Sequence, residues 1–285
     1  MSVQVPTPWR RVDFNKQVIE EFRANNGQVG GPFEGARLLL LTTTGARSGR
    51  PHTVPLGYLP DGGERMLVIA SAGGAPHDPH WYRNLRADPR ATVESGVFVF
   101  DVEAEILEGA ERDAAFARAV ESDPGWADYQ ARTARTIPVV ALKVEPGPPR
   151  SNASSGGAYL KQVHDGFRRE LALIRKELTG SGRPGLGVQL RINCLTMCQG
   201  LHHHHTGEDL MMFPALAERH PSLAPTIERL SREHERIGVL VEELRQALSG
   251  DDPLRVRAEI ERLVDELEAH LAYEEEQLVP ILDLA

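Results

Sequence analysis

The sequence predicts an α+β protein of two domains, in which an antiparallel sheet or small barrel is followed by an all-α, up-down-up-down four-helix bundle. The chain has 285 residues, more than a single hydrophobic core usually serves. Short β-rich runs fill its first half, whereas apolar residues recur at three- and four-residue steps in the second. The Pro-, Gly- and Ser-rich segment 146–158 separates the two and is typical of a linker. We therefore expect domains at residues 1–145 and 159–285.

Five β-rich runs, separated by turn signals such as Asp61-Gly62-Gly63, predict the strands of the first domain. Helical patterns interrupt them without a regular strand–helix alternation, which favours an α+β class over a doubly wound fold. The predicted strands cover residues 37–43, 53–59, 66–70, 91–108 and 137–144, and the predicted helices cover 14–25, 80–87 and 110–132.

Charge, cysteine content and apolar runs limit the partners and the location of the protein. A net charge of -9 and an isoelectric point near 5.7 argue against nucleic acid, which requires a clustered Lys/Arg surface. Cys194 and Cys198 are too few for a disulfide framework, which indicates a reducing compartment. Residues 1–11 have no apolar signal region, and the longest aliphatic run, 38–41, cannot cross a bilayer. We expect a cytoplasmic protein without a transmembrane segment.

Two short segments of the first domain suit a cofactor. Residues 42–50 place hydroxyl groups, two glycines and two arginines after an apolar strand, a pattern of an anion-binding loop or, equally, of a solvated turn. The segment has neither a Walker A nor a dinucleotide-binding pattern. The small residues at 70–74 leave room for a flat ring and lead to Trp81 and Asn84, although Trp81 alone would also fit a packed core.

In the second domain, a histidine interrupts the apolar stripe of each predicted helix, and in two helices a glutamate follows four residues later. An ionised glutamate in an apolar core is unfavourable unless a charge such as a cation compensates it. Spacing of i, i+4 places both side chains on one helix face, as an in-helix metal site requires. The stripes follow Phe167, Leu171, Ile174 and Leu178 around His164; Leu190, Cys194, Met197, Leu201, Met211 and Ala215 around His204 and Glu208; Leu223, Ile227, Leu230, Ile237, Val241, Leu244 and Leu248 around His234; and Ile260, Leu263, Leu267, Gln277 and Ile281 around His270 and Glu274.

One histidine on an apolar stripe is more often a core residue than a ligand, but four helices that share the pattern favour a metal site. Within the run 202–205, register selects His204, because Glu208 follows four residues later. His205 with Asp209 is the competing pair, and His202 and His203 are expected at the surface or beside the ligands. Imidazole and carboxylate suit iron, manganese or zinc, and we assign no role to the cysteines.

Residues 163–282 closely resemble the hemerythrin-like cation-binding family, in which His, His-x-x-x-Glu, His and His-x-x-x-Glu occupy four successive helices. The Phe213-Pro214 and Val279-Pro280 steps also fit that family. The resemblance implies a carboxylate-bridged centre of two iron ions, with an open position for O2 or a related small molecule. Its terminal ligands would be His164, His204, His234 and His270, and its bridges Glu208 and Glu274.

Residues 15–145 resemble the deazaflavin-dependent nitroreductase family through the segments 44–49, 54–56, 70–74, 81–85 and 129–138. The resemblance implies a split β-barrel that transfers hydride from reduced coenzyme F420, or alternatively from FMN, to quinones, nitroaromatics and similar acceptors. Split barrels of this kind often form homodimers. By the same resemblance, Arg47, Ser48, Gly49 and Arg50 would hold the phosphate tail, Pro55, Leu56, Ala70, Ser71 and Gly74 would line the ring, Trp81 and Asn84 would brace the pocket, and Tyr129 would face the substrate.

Ser71 and Tyr129 are the catalytic candidates of this domain. A tyrosine with a pKa of about 10 is protonated at neutral pH and can donate to a reduced oxyanion, although the same ring also suits helix packing. Ala46 departs from the family pattern, in which a second basic residue is common, and this departure affects the expected affinity for the tail.

These expectations combine into a redox protein in which a deazaflavin-dependent reductase barrel is fused to a di-iron bundle. One rival hypothesis is a sensor of O2, nitric oxide or iron, in which the barrel binds a cofactor without turnover. A second rival makes the bundle a metal-free interaction module.

Overall fold

The computed structural model describes residues 8–63, 65–147, 149–180 and 186–284. The chain divides into two compact units, one up to residue 152 and one from residue 153 onward. Most of the segment 1–11, in which no signal region was expected, lies outside the described residues. None of the described helices combines the length and the apolar character needed to span a membrane.

An antiparallel barrel forms the first unit. The described part of this unit has seven strands in the order β4-β1-β2-β3-β6-β5-β7, and an additional pairing of β4 with β5 closes six of them into a barrel. The prediction of an antiparallel barrel followed by a helical bundle is confirmed. The strands are β1 Leu38–Thr44, β2 Pro51–Pro60, β3 Arg65–Ile69, β4 Arg90–Ser95, β5 Phe98–Ile106, β6 Val139–Val144 and β7 Arg150–Ser151.

Two of the predicted elements are divided in the structure. The predicted strand 91–108 becomes the hairpin of β4 and β5, because Gly96 turns the chain with φ of +60°. The predicted helix 110–132 is broken before Pro124, whose ring cannot continue an α-helix. The helices of this unit are α1 Pro8–Ala24, α2 His80–Ala87, α3 Gly109–Ser122 and α4 Gly125–Ala131.

The strand β1 is apolar throughout its first half because both of its faces are covered. Leu39 and Leu41 belong to the same buried cluster as Trp81 of α2. Leu38 and Leu40 point the opposite way and pack with Phe22 of α1. Burial on both faces explains why this strand has no polar alternation.

The predicted linker is shorter than expected. Arg150–Ser151 forms β7 and pairs with Phe98 and Val99 of β5, so this part of the segment belongs to the barrel. The first helix of the second unit already begins at Gly156. Pro148, also within the predicted linker, lies outside the described residues.

The described part of the second unit consists of helices joined by short connections. Apolar side chains that point between the helices form its core, which includes Ile174, Cys194, Ile237 and Leu263. The helices are α5 Gly156–Gly180, α6 Val188–Gly207, α7 Phe213–Arg219, α8 Ala224–Ser249 and α9 Pro253–Leu282, and a π-helical turn, Glu208–Met212, joins α6 to α7.

The π turn changes which residues after Glu208 face the core, so this part of the predicted second stripe is wrong. Met211 and Ala215, expected to face the core, are exposed, and Phe213 and Leu216 are buried instead. The N–H of Phe213 bonds to the carbonyl of Glu208, five residues back, so the register advances by one residue. Pro214 favours this wider turn, because it has no N–H to donate and its ring crowds the preceding turn.

Candidate metal centre and cofactor site

The helices of the bundle bring all six predicted ligands together in its interior. His164 comes from α5, His204 from α6, Glu208 from the π turn, His234 from α8, and His270 and Glu274 from α9. The Nε2 atoms of His204 and His234 lie 3.2 Å and 3.5 Å from the carboxylate oxygens of Glu208. Those of His164 and His270 lie 3.4 Å and 3.6 Å from Glu274. Each carboxylate therefore stands between two histidines.

His205 joins this centre, although the sequence suggested a choice between His204 and His205. Its buried ring stacks on His234 at 4.0 Å, and its Nε2 also points inward. On an α-helix Glu208 lies about 40° from His204 and about 60° from His205, between the two. The sequence could therefore have predicted that both histidines join the centre, because one carboxylate can face both imidazoles. His202 and His203 are exposed.

The seven side chains form two groups, each compact enough to bind one ion. Glu208 approaches a histidine of one group with one oxygen and a histidine of the other group with its second oxygen. Glu274 likewise lies next to one histidine from each group. The groups are His164, His204, Glu208 and Glu274, and His205, His234 and His270.

These donor atoms fit a cation. Within the described parts of the chain, the Nε2 atoms of all five histidines and both oxygens of each glutamate are buried without a hydrogen-bond partner. Burial and the neighbouring Glu274 raise the pKa of Glu208, and burial lowers the pKa of His204 to about 3. Buried, unpartnered carboxylates are unfavourable without a positive charge, and nitrogen and oxygen donors suit iron, manganese or zinc.

In the barrel, the loop between β1 and β2 is held at its base by Asn84 of α2. The Asn84 side chain accepts a hydrogen bond from the N–H of Ala46 at 3.0 Å and donates one to Thr43 Oγ1 at 3.0 Å. Gly49 closes the loop with φ of +62°. Arg47 and Arg50 are exposed, and neither forms an ion pair with any residue that the structure describes. Their guanidinium groups are therefore available to an anion.

The small residues after β3 form a tight turn against α4. Ala72, Gly73 and Gly74 all have positive φ, of +50°, +68° and +81°. A Cβ on Gly74 would lie 2.9 Å from the carbonyl oxygen of Tyr129, so only glycine fits there. Ser71 is buried, and its Oγ accepts a hydrogen bond from the N–H of Gly73 at 3.4 Å.

Arg135, which was not among the predicted site residues, holds this turn together. Its guanidinium donates to the carbonyls of Ala70, Ser71 and Ala75 at 2.9, 2.8 and 3.0 Å, and to the carboxylate of Asp78 at 2.9 Å. No sequence pattern marks a lone arginine for this role, because its acceptors lie about 60 residues away along the chain.

The remaining predicted residues fall into different parts of the barrel. Leu56, Ala70 and Trp81 belong to one buried cluster. Pro55 lies on a stretch of β2 that pairs with β1 alone, since β3 joins β2 only from Tyr58 to Pro60. Tyr129 is half-buried in a separate cluster, edge-on to Trp126 with ring centroids 5.8 Å apart.

Comparison with known proteins identifies both units. The family model of the F420H2-dependent quinone reductases matches residues 14–144, and that of the hemerythrin HHE cation binding domain matches residues 155–282. The chain is 38% identical over 125 residues to an F420H2-dependent quinone reductase of Mycobacterium tuberculosis. The matched region covers 42% of this chain and 83% of that protein. The chain belongs to the F420H2-dependent quinone reductase family, and it carries a hemerythrin HHE domain.

Two solved structures are also similar to the chain. One is described as a domain-swapped dimer and is 37% identical to the chain, with a TM-score of 0.37. The match covers 48% of this chain and all of the chain in that structure. The other, an F420-H2 dependent reductase named FDR-A, is 42% identical and covers 38% of this chain and 94% of that chain, with a TM-score of 0.35.

Both family resemblances expected from the sequence are thus confirmed, and so is the expectation of a deazaflavin-dependent oxidoreductase family. Membership of the quinone reductase family implies F420 as the cofactor of the barrel, and the hemerythrin domain implies iron in the bundle. The unpaired arginines of the β1–β2 loop fit the anionic part of such a cofactor, and the buried histidines and glutamates fit iron.

Proposed function

We propose that the barrel reduces a quinone with hydride from F420H2, and that the bundle binds two iron ions and O2 or a related small molecule. The observation that carries the bundle's part is the pair of buried carboxylates, Glu208 and Glu274, each set between histidines of the two ligand groups. The proposal for the barrel is supported by family membership, by the loop between β1 and β2 with its exposed arginines, and by the tight turn after β3.

In the barrel, Arg47 and Arg50, with Ser48 and Gly49, bind the anionic tail of the cofactor. The ring system of the cofactor would be lined by Pro55, Leu56, Ala70, Ser71 and Gly74, and Trp81 and Asn84 would support this wall. Reduced F420 supplies a hydride, and a quinone that accepts it together with one proton becomes a hydroquinone. Tyr129 donates that proton to the acceptor oxygen, and Ser71 positions the ring.

In the bundle, His164 and His204 would hold one ion, and His205, His234 and His270 would hold the other. Glu208 and Glu274, which lie next to histidines of both groups, would complete the two ligand sets. The negative charge of these carboxylates balances part of the charge of the ions, which is why they tolerate burial. The apolar residues around the centre exclude bulk water.

Turnover tests the proposal for the barrel. Purified protein is mixed anaerobically with F420H2 and menadione, and loss of the F420H2 signal is followed. The double variant Arg47→Ala/Arg50→Ala is expected to weaken F420 binding by about tenfold or more, because two charge-assisted contacts are lost. The matched control Arg90→Gln removes an exposed arginine already paired with Asp88. Binding of F420 without oxidation of F420H2 would support the sensor instead.

Iron content tests the proposal for the bundle. We expect full-length protein, loaded anaerobically with ferrous salt, to retain about two equivalents and to change its optical spectrum on exposure to O2. The double variant Glu208→Gln/Glu274→Gln is expected to lose both. Glu266→Gln, which removes an exposed acid paired with Arg236, serves as the control. Retention of less than about one equivalent by the wild type would overturn the di-iron proposal.

A further inference from the structure

Two of the five inward-facing histidines are hydrogen-bonded from behind by a carboxylate, and a third has a carboxylate close by without a hydrogen bond. The Nδ1 of His164 lies 2.8 Å from Glu275 Oε1, and that of His270 lies 3.0 Å from Glu233 Oε2. The Nδ1 of His234 lies 3.0 Å from Asp209 Oδ1. In each case the acid and the histidine belong to different helical segments.

The three acids share a position in the sequence. Each directly follows or precedes a candidate ligand of its own segment: Asp209 follows Glu208, Glu233 precedes His234, and Glu275 follows Glu274. The contacts therefore run around the bundle, from the π turn to α8, from α8 to α9, and from α9 to α5. Each of these three segments therefore supplies one acid that lies against the histidine of the next segment.

Each acid is itself fixed by a further donor. Arg168 donates to Glu275 at 2.8 Å, Arg229 donates to Glu233 at 2.8 Å, and Ser231 Oγ donates to Asp209 at 3.1 Å.

Glu275 and Glu233, each paired with an arginine, accept these hydrogen bonds, so the Nδ1 atoms of His164 and His270 carry the proton. In a neutral imidazole the lone pair then resides on Nε2, the atom that faces the centre. Such outer contacts orient the ligand ring and increase its basicity. Among the described residues, His204 and His205 have no carboxylate at Nδ1 and are packed against Phe167 and His234 instead.

We propose that Glu233 and Glu275 are positioning residues of the metal centre, and that they act on different ions. The proposal rests on the two-ion site proposed above. Glu275 orients His164, which belongs to the group with His204. Glu233 orients His270 of the other group. Loss of one acid should therefore loosen one ion and leave the other in place.

The experiment uses full-length protein loaded anaerobically with ferrous iron and mixed with excess ferrous chelator. Glu275→Gln and Glu233→Gln are each expected to release about one equivalent roughly 10- to 100-fold faster than wild type, with the second equivalent unchanged. Their Leu counterparts, which cannot accept a hydrogen bond, should release it faster still. Glu268→Gln is the matched control, since Glu268 bonds to the same Arg168 but is not in contact with His164.

Metal-free samples separate positioning from folding. We expect the melting temperature of the metal-free Gln variants to match that of Glu268→Gln, because a positioning role acts only on the loaded centre. The inference is wrong if iron release is unchanged or if both equivalents are released faster together. It is also wrong if the melting temperature of the metal-free variants falls in proportion to the increase in their rate of iron release. A wild type that binds no iron would instead overturn the proposed function on which the inference rests.

Discussion

The barrel and the bundle build their candidate sites from different materials. In the barrel, main-chain turns with positive φ at Ala72, Gly73 and Gly74 and exposed arginines form the site, and the core beneath is apolar. In the bundle, buried histidines and glutamates form the site and replace part of the core itself. Because the bundle buries charged groups and the barrel buries an apolar interior, we expect the stability of the bundle, and not that of the barrel, to depend on a bound cation.

Removal of metal should have the largest effect. We expect a chelator to lower the melting temperature of the bundle by more than about 10 °C, because binding well above Kd adds about 4 kcal/mol to the folded state. The barrel transition should not move. Calorimetry of loaded and chelated protein resolves the two transitions, and equal melting of both samples would favour the metal-free interaction module.

Gly74→Ala should have the second largest effect, and on the barrel alone. The new Cβ would meet the Tyr129 carbonyl at 2.9 Å with φ at +81°, so we expect a loss of about 2–4 kcal/mol in unfolding free energy. Gly73→Ala is the control, because Gly73 has a similar φ but no atom within 4 Å of the added Cβ. That variant should lose only about 1 kcal/mol. Similar losses in urea titrations of both variants would contradict the packing of the turn on α4.

Arg135→Lys should act on cofactor affinity more than on folding. A lysine cannot span the three carbonyls and the Asp78 carboxylate that the guanidinium holds. We expect F420 to bind about tenfold more weakly, measured by fluorescence titration. Arg118→Lys, which alters an ion pair with Asp61, should bind F420 like the wild type. Unchanged affinity in Arg135→Lys would mean that the turn keeps its shape without the arginine.

The smallest effect concerns pH. A hydrogen bond from Arg150 at 2.8 Å lowers the pKa of Asp101, which joins β7 to β5. A carboxylate whose folded-state pKa is lowered adds stability above its unfolded pKa, and that stability is lost as the pH falls through the folded value. Because the pair is exposed, the change is small. Asp101→Asn should therefore slightly flatten the acid limb of the barrel's stability curve, measured by urea titration at a series of pH values.

Much of the fold was predictable because its signals are local. The apolar stripes of α5, α8 and α9, the strand β1 and the helix α2 follow from periodicity over a few residues. The divided elements at Gly96 and Pro124 show the limit, because a single turn residue outweighed the pattern on both sides. The second stripe failed after Glu208, where the π turn shifts the register and buries Phe213 instead of Met211.

By itself, the sequence determined that four helices carry inward histidines and that Glu208 and Glu274 accompany two of them, because residues four apart share a helix face whatever the surroundings. Only the tertiary structure decided that His205 also faces inward, that Glu233 and Glu275 hold histidines of other segments, and that Arg135 holds the turn after β3. These contacts join residues distant in the chain, and their geometry exists only once the helices and strands have packed.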